Sequence, residues 1–343
     1  MTTTTATRRK RRKRDDATAN NTLDDAASSE GGDDAPRNVE RIELGGRSID
    51  AWYFSPFPEP YADAAVLFFC DFCLRYFSSR RAAHAHRSVC EVRCPPGDEI
   101  YRTPEFSIFM IEGKGTASRK TYCQNLCLLS KLFLDHKTLC YDVEPFTFFV
   151  LVDGDGQLIG YFSKERDHTS LSLACITTLP PYQGRGYGGL LVDLSYVIAR
   201  RRIAAAYRDG REDDVDAIDG GSPERPLSDL GELQFRSYWV HTLTRALLAL
   251  AGGGSIDGKT AATDREAQRR CSVLDVVRAT GIRSGDVVLT LKRLGLVRAD
   301  ATASARRAHE VVTDVSALAA WVRANARDVR RVDESKLTLP SAA

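Results

Sequence analysis

No apolar run in this chain approaches the roughly 20 consecutive residues that a membrane-crossing helix needs. The greasiest stretch, Phe146 to Val152, has the length of one buried strand. The amino terminus lacks the apolar core of a secretory signal, so an intracellular protein with no membrane partner is expected. Residues 1–36 have almost no large apolar side chains; they cannot offset the entropy of ordering and are expected to form a disordered tail. No internal repeat is present, and the mixed strands and helices show no regular βαβ alternation, which points to an α+β fold. Net charge is also nearly absent, at +2, but its distribution is uneven. Arg8 to Arg14 is an unbroken basic run, and Asp15 to Asp34 behind it is acidic, small and polar. Such a run suits a nuclear import receptor or a nucleic acid, and is otherwise a solvated tail.

What the 343 residues do contain includes nine cysteines, an odd number that sits mostly inside apolar helix and strand patterns. That placement argues against disulfides and for buried thiols, metal ligands or a nucleophile. Four positions stand out: Cys70, Cys73, His86 and Cys90, a Cys-x2-Cys-x12-His-x3-Cys pattern. The two-residue gap lets both thiolates of a tight knuckle reach one ion. One helical turn puts His86 and Cys90 on one face, so four ligands can close a tetrahedron around zinc. No position remains open, so the metal is structural. His84 points to the other side of the helix, Cys94 lies beyond it, and Phe68, Phe69, Phe72 and Phe77 are the expected local core. The knuckle helix offers few side chains able to read base edges, which argues against base-specific DNA binding and for a structural or chromatin-docking role.

Apolar spacing predicts short strands around Ile42, Leu44 and Ile49, continuing through Trp52 and Phe54, and a helix from Thr121 to His136. Strands are expected at Phe146 to Val152, Leu158 to Phe162 and Leu171 to Thr178, the first two joined by the turn Asp153 to Gly156. Helices are expected from Tyr187 to Arg202 and from Ser228 to Ala251, with an exposed loop over Ala206 to Ser222 between them. A flexible linker from Gly252 to Arg270 then leads to two helices joined at Gly281, a helix-turn-helix pattern with Ser272 and Ser284 as N-caps. Val276, Val277, Val288, Leu291 and Leu294 are expected to pack that pair, as a wall of the main fold rather than as a base reader.

The segment Pro180 to Gly189 follows a strand and opens a helix. There, backbone N–H groups and the positive end of the helix dipole form an anion cradle, and Arg185 adds a charge-assisted contact. The order Gln183-x-x-Gly186-x-Gly188 lacks the terminal Gly-Lys-Ser/Thr of a nucleotide P-loop. It resembles the coenzyme A loop of N-acetyltransferases.

Several blocks together resemble one family, the MYST lysine (histone) acetyltransferases. They are Ile49 to Pro58, the zinc cluster, Pro95 to Arg102, Tyr122 to Leu139, Gly160 to Glu165, the glycine loop, and Gly221 to Gly231, spanning nearly everything from Val39 to Val297. The resemblance implies an acetyl-CoA-binding N-acetyltransferase-like core flanked by a zinc-finger lobe and a helix-turn-helix lobe. It also implies acetyl transfer from acetyl-CoA to a lysine of a histone tail. By position it makes Glu224 the general base, which the chemistry needs because an ammonium is not nucleophilic. Cys175 becomes either an acyl-enzyme nucleophile or a packed neighbour of the acetyl group, and Lys120 the autoacetylated lysine. Ile176, Thr177, Thr178, Gln183, Gly184, Arg185, Gly186, Tyr187, Gly188, Gly189, Ser228 and Ser237 become coenzyme A contacts. Gly184 and Gly189 depart from the family, whose members carry basic residues there, and the loop at Ala206 to Gly220 is longer than usual.

The expected organisation is a tail over 1–36, a zinc-finger lobe over 37–118, a catalytic core over 119–251 and a C-terminal lobe over 252–343. The implied setting is the nucleus, with histone tails on the nucleosome as partners and a multi-subunit chromatin complex around the enzyme. A low-activity chromatin-binding zinc-finger scaffold is the alternative. A small-molecule N-acetyltransferase is a third reading that leaves the finger and basic tail unexplained.

Overall fold

Short alternating segments build the first layer: β1 (Arg41–Leu44), β2 (Arg47–Asp50), β3 (Val66–Phe69) and β4 (Tyr76–Phe77) form a sheet of order β2-β1-β3-β4. The computed structural model describes residues 37–138, 140–251, 271–299, 309–311, 315–325 and 329–340. The expected tail over 1–36 and linker over 252–270 therefore lie outside the described residues. Ile42, Leu44, Ile49, Leu67 and Phe69 face inward and are buried. The strand expected through Trp52 and Phe54 does not form. Trp52 and Tyr53 instead donate their N–H groups to the Leu132 carbonyl (2.9 and 3.0 Å), satisfying a helix C-terminus that would otherwise lack donors.

α1 (Arg80–Val89) is capped by Ser79, whose hydroxyl accepts from the Ala82 N–H. Next come β5 (Asp98–Arg102), β6 (Phe106–Glu112) and α2 (Ala117–Lys131). Thr116 caps α2 and starts it one turn before the expected Thr121; it ends at Lys131, short of His136. β7 (Phe146–Asp153), β8 (Leu158–Glu165), β9 (Leu171–Leu173) and β10 (Ile176–Thr178) follow, and the central sheet runs β10-β8-β7-β6-β5, all antiparallel. Phe148 to Val152 on β7 are all buried, so both faces of this strand are covered. Phe148 stacks on Tyr161, whose hydroxyl meets Ser130 of α2 at 2.8 Å, so α2 lies over that face.

The single strand expected from Leu171 to Thr178 is broken. Ala174 donates to the Ser163 carbonyl at 2.7 Å, and Ser163 donates to the Cys175 carbonyl at 2.9 Å. Two residues thus oppose one, a β-bulge that splits the strand and redirects the side chain at Cys175.

α3 (Tyr187–Arg208) is longer than expected and packs against β8, β9 and β10. The exposed loop expected over Ala206 to Ser222 is largely structured. Ala206 is buried in α3, α4 (Val215–Ile218) adds a turn, and β11 (Ser222–Pro223) pairs in parallel with β9. Arg202 organises this segment by donating to the carbonyls of Thr169 (2.5 Å), Asp216 (3.2 Å) and Gly220 (2.8 Å). α5 (Asp229–Leu250) is capped by Ser228, as expected. Between α3 and α5, buried Asp193 accepts from the Tyr238 hydroxyl (2.8 Å), the Arg331 guanidinium (2.7 Å) and the Val332 N–H (2.8 Å).

β12 (Cys271–Ser272) precedes α6 (Val273–Thr280) and α7 (Ser284–Arg293); β13 (Val297–Ala299), β14 (His309–Val311) and α8 (Val315–Ala324) complete the strands and α-helices of the described residues. Ser272 heads α6 in a reciprocal capping box with Asp275, and left-handed Gly281 (φ 73°) closes it. A Cβ at Gly281 would lie 2.7 Å from the Tyr196 carbonyl, so α6 can approach α3 only through glycine. Val287, rather than Val288, is fully buried. Ser284 is not the cap of α7. Its N–H donates to Asp219 at 3.0 Å, and Arg283 reaches the other oxygen of that carboxylate at 3.3 Å. A distant acidic group thus serves the helix start. Asp219→Ala is expected to cost about 1–2 kcal/mol by removing that cap; an unchanged urea midpoint would show that Asp219 holds nothing.

Candidate active site

The knuckle between β3 and β4 places Cys70 and Cys73 against His86 and Cys90 of α1, the four ligand atoms all lying within 4.8 Å of one another. Cys70 and Cys90 sulfurs are 3.9 Å apart, and the Cys73 sulfur is 3.2 Å from His86 Nε2. With a zinc–sulfur bond of about 2.3 Å, tetrahedral ligands stand about 3.5–3.8 Å apart, so the set fits zinc. The Cys73 thiol donates to Cys70 and holds it far below the ordinary thiol range, at about 4, while Cys73 itself is pushed up. His84 and Cys94 are exposed and outside the cluster. Of the four expected phenylalanines, Phe77 packs against His86 at 5.1 Å, while Phe69, the one fully buried, lies edge-on to Phe57.

The glycine loop runs from the end of β10 to the start of α3. Gly184 (φ 75°) and Gly186 (φ 82°) adopt the left-handed region, turning the chain so that α3 begins at Tyr187. Gln183 donates to the Thr178 carbonyl at 2.9 Å. Tyr182 is buried and donates to Asp153 at 3.2 Å, while Arg47 and Arg185 lie over its ring (5.5 and 5.8 Å). Space around Gly184 is open, and a Cβ at Gly189 would meet Gln234 Nε2 at 3.3 Å. Two left-handed glycines leading into a helix N-terminus are the backbone arrangement that takes a phosphate or diphosphate.

β10 is the edge of its sheet, paired only with β8 among the described residues. Its outer edge, where Gln183 already occupies the Thr178 carbonyl, is the kind that can pair with an extended amide chain. Thr177 Oγ1 is buried without a hydrogen-bond partner among the described residues, an orphan that a bound amide would satisfy. Just before β10, the bulge sets half-buried Cys175 with its sulfur 3.6 Å from Nζ of buried Lys137. Burial raises the thiols of Cys127 and Cys123 and pushes Cys140 up to about 12, so these three stay protonated at neutral pH.

Glu224 is exposed, and its N–H donates to the Leu173 carbonyl at 2.9 Å. The β9–β11 pairing therefore carries Glu224 alongside the strand that leads, two residues later, into Cys175. The next residue, Arg225, pairs with Asp286 of α7 at 2.9 Å, anchoring the loop to the helix-turn-helix. Ser228 is occupied as the α5 cap, and Ser237 is exposed on that helix. Lys120 stands apart at the exposed start of α2, 2.8 Å from Glu144; the lysine that meets Cys175 is Lys137.

Five residues escaped sequence reasoning: Arg47, Lys137, Gln234, Asp286 and Arg330. Only Lys137 carried a local signal, being a charged residue within the long block Tyr122 to Leu139. The other four arrive from distant segments.

A model of the MOZ/SAS family matches residues 94–337, and one of the MYST family zinc finger domain matches residues 36–90. The chain is 47% identical over 216 residues to "Histone acetyltransferase esa1" of Emericella nidulans, covering 62% of this chain and 39% of that protein. It is 38% identical over 305 residues to "Histone acetyltransferase of the MYST family 2" of Arabidopsis thaliana, covering 88% of this chain and 60% of that protein. The same figures hold for "Histone acetyltransferase of the MYST family 1" of that plant. The chain thus spans between 39% and 60% of the length of these relatives.

Replacing Cys70 with alanine is expected to remove about one zinc per chain and to unfold the knuckle, because the bound ion supplies the folding energy of such small units. Inductively coupled plasma mass spectrometry reads this directly. Full metal retention in the variant would refute the ligand set.

Proposed function

The chain belongs to the MOZ/SAS family, with a MYST family zinc finger domain at its amino-terminal side; from that premise we propose that it is a histone lysine acetyltransferase that takes acetyl from acetyl-CoA. The observation that carries the proposal is the junction of three features within one short stretch: the β10 edge, the bulge at Cys175 and the backbone cradle of Gly184 to Gly189. An edge strand suits the amides of a pantetheine arm, and a helix N-terminus suits a diphosphate. Ile176, Thr177 and Thr178 would line the arm, and Gln183 to Gly189 the phosphates, with Ser228 and Ser237 further along α5. Bound this way, the thioester end of acetyl-CoA lies toward Cys175.

Glu224 is the proposed general base. It takes a proton from the acceptor ammonium, and the resulting amine attacks the thioester carbonyl; the carbon–sulfur bond breaks, the new amide nitrogen loses its second proton, and the leaving sulfur takes up a proton so that coenzyme A departs as the thiol. The Arg225–Asp286 pair and the Glu224 N–H bond to Leu173 fix the backbone on both sides of the base. For self-acetylation the geometry favours Lys137 over Lys120, since only Lys137 reaches the thiol at Cys175. The zinc knuckle is structural, its four protein ligands leaving no site for substrate. The division into a zinc-finger lobe, a catalytic core and a C-terminal lobe is part of this reading. So are histone tails on the nucleosome as partners, a nuclear location and membership of a larger chromatin complex. The chromatin-binding scaffold of low activity is not favoured, because the relatives bear the name histone acetyltransferase and the thiol, the carboxylate and the cradle all stand here.

Incubation of the purified chain with acetyl-CoA and core histones is expected to give acetyl-lysine detectable by mass spectrometry. Glu224→Gln should lower the rate by about 10²–10⁴-fold, the usual contribution of a positioned base. No histone acetylation above that variant would leave the scaffold as the better account.

A further inference from the structure

The cradle poses an orientation problem. For backbone N–H groups to face an anion, the carbonyls of the same peptides must face away and find donors elsewhere. In a trans peptide the C=O and N–H point in opposite directions. The carbonyl of Arg185 and the N–H of Gly186 share one such peptide, so whatever holds the first aims the second.

Arg330 holds it. Its Nε donates to the Arg185 carbonyl at 3.0 Å, its guanidinium lies over the Tyr187 ring at 4.9 Å, and its Nη1 donates to Glu105 at 2.7 Å. The aliphatic stem packs against Gly186, where a Cβ would stand 3.4 Å from Cγ and Cδ. Its neighbours are pinned independently: Arg331 and the Val332 N–H both bind buried Asp193 of α3, one and a half turns beyond the loop. Arg330 therefore sits at the cradle because the segment behind it is fastened to the same helix that the cradle begins. The loop itself is short of charge. Gly184 and Gly189 carry none, and the Arg185 guanidinium is laid over Tyr182 together with Arg47.

We propose that Arg330 is the positioning residue of the diphosphate cradle, holding the Arg185 carbonyl outward so that the Gly186 N–H faces the anion and supplying the positive charge that Gly184 and Gly189 do not. The inference rests on the reading that this loop binds acetyl-CoA. Glu105 is its counter-charge, and tempers it.

The test is isothermal titration of coenzyme A into the full chain, with steady-state kinetics on histones alongside. Arg330→Ala is expected to raise Kd for coenzyme A, and KM for acetyl-CoA with it, by about 10-fold, the size of one charge-assisted contact. kcat should stay within about 2-fold, since a contact made equally before and during reaction moves KM alone. Arg330→Lys keeps the charge without the planar fork and should recover part of the loss. Glu105→Gln should bind coenzyme A as tightly as the parent or tighter, and this arm survives even if Arg330→Ala folds poorly. The salt dependence of Kd should be shallower in Arg330→Ala than in the parent, which a purely structural residue would not cause. A parent protein that binds no coenzyme A overturns the reading of the loop. A parent that binds, with Arg330→Ala binding equally well or Glu105→Gln weakening binding, overturns the role of Arg330.

Discussion

A single buried carboxylate, Asp193, ties together the parts on which the site depends. It projects from the second turn of α3 and takes donors from Tyr238 on α5 and from Arg331 and Val332 on the carboxyl-terminal segment. A charge in a dry interior is costly, and three hydrogen bonds, one from a cation, are what make it tolerable. Because those donors come from positions 45 and 138 or more residues away, the bond set is a geometric clamp. It fixes α5 beside α3, and so brings Gln234 alongside Gly189 of the cradle. It also sets the segment that carries Arg330 against the loop.

A second constraint is the bulge at Ala174 and Cys175. An uninterrupted strand from Leu171 to Thr178 would keep strict alternation and would leave β9 and β10 on one line. With two residues opposite Ser163, the chain shifts register, β9 turns to pair with β11, and β10 stays on β8. The outcome is local and chemical at once. Cys175 is turned toward Lys137, and Pro223-Glu224 is drawn in beside the strand that carries the thiol. The helix-turn-helix then enters as support, since Asp286 of α7 secures Arg225 and Asp219 secures α7 in return. Its helices pack against α3 and α5, which makes it a wall of the protein.

Seven of the nine cysteines fall into three chemistries by environment. Cys70, Cys73 and Cys90 converge with a histidine as a set of metal ligands. Cys123, Cys127 and Cys140 are buried and kept neutral. Cys175 alone is half-buried beside an amine. Composition could not make this division, because the same side chain serves each role.

The parts legible in the sequence were those whose meaning lies in short spacing. Two thiols three residues apart with a histidine and a third thiol one helical turn apart need no tertiary context to imply a tetrahedron. Glycines between a strand and a helix imply an anion cradle for the same reason, and Ser228 and Ser272 were readable as caps because a cap acts within one turn. Where spacing misled, a long-range partner had intervened. Ser284 lost its capping role to Asp219, the strand at Trp52 gave way to the α2 terminus, and the loop after Ala206 was organised by Arg202. Family resemblance alone proposed roles for Glu224 and Cys175, which periodicity would have left as a surface acid and a core thiol. The sequence by itself thus determined the metal ligands, the glycine turn into a helix and the family. The neighbours of the loop and of the thiol, Arg330, Gln234, Asp286 and Lys137, were decided only by the tertiary structure, because contacts between segments tens to hundreds of residues apart leave no periodic or local trace.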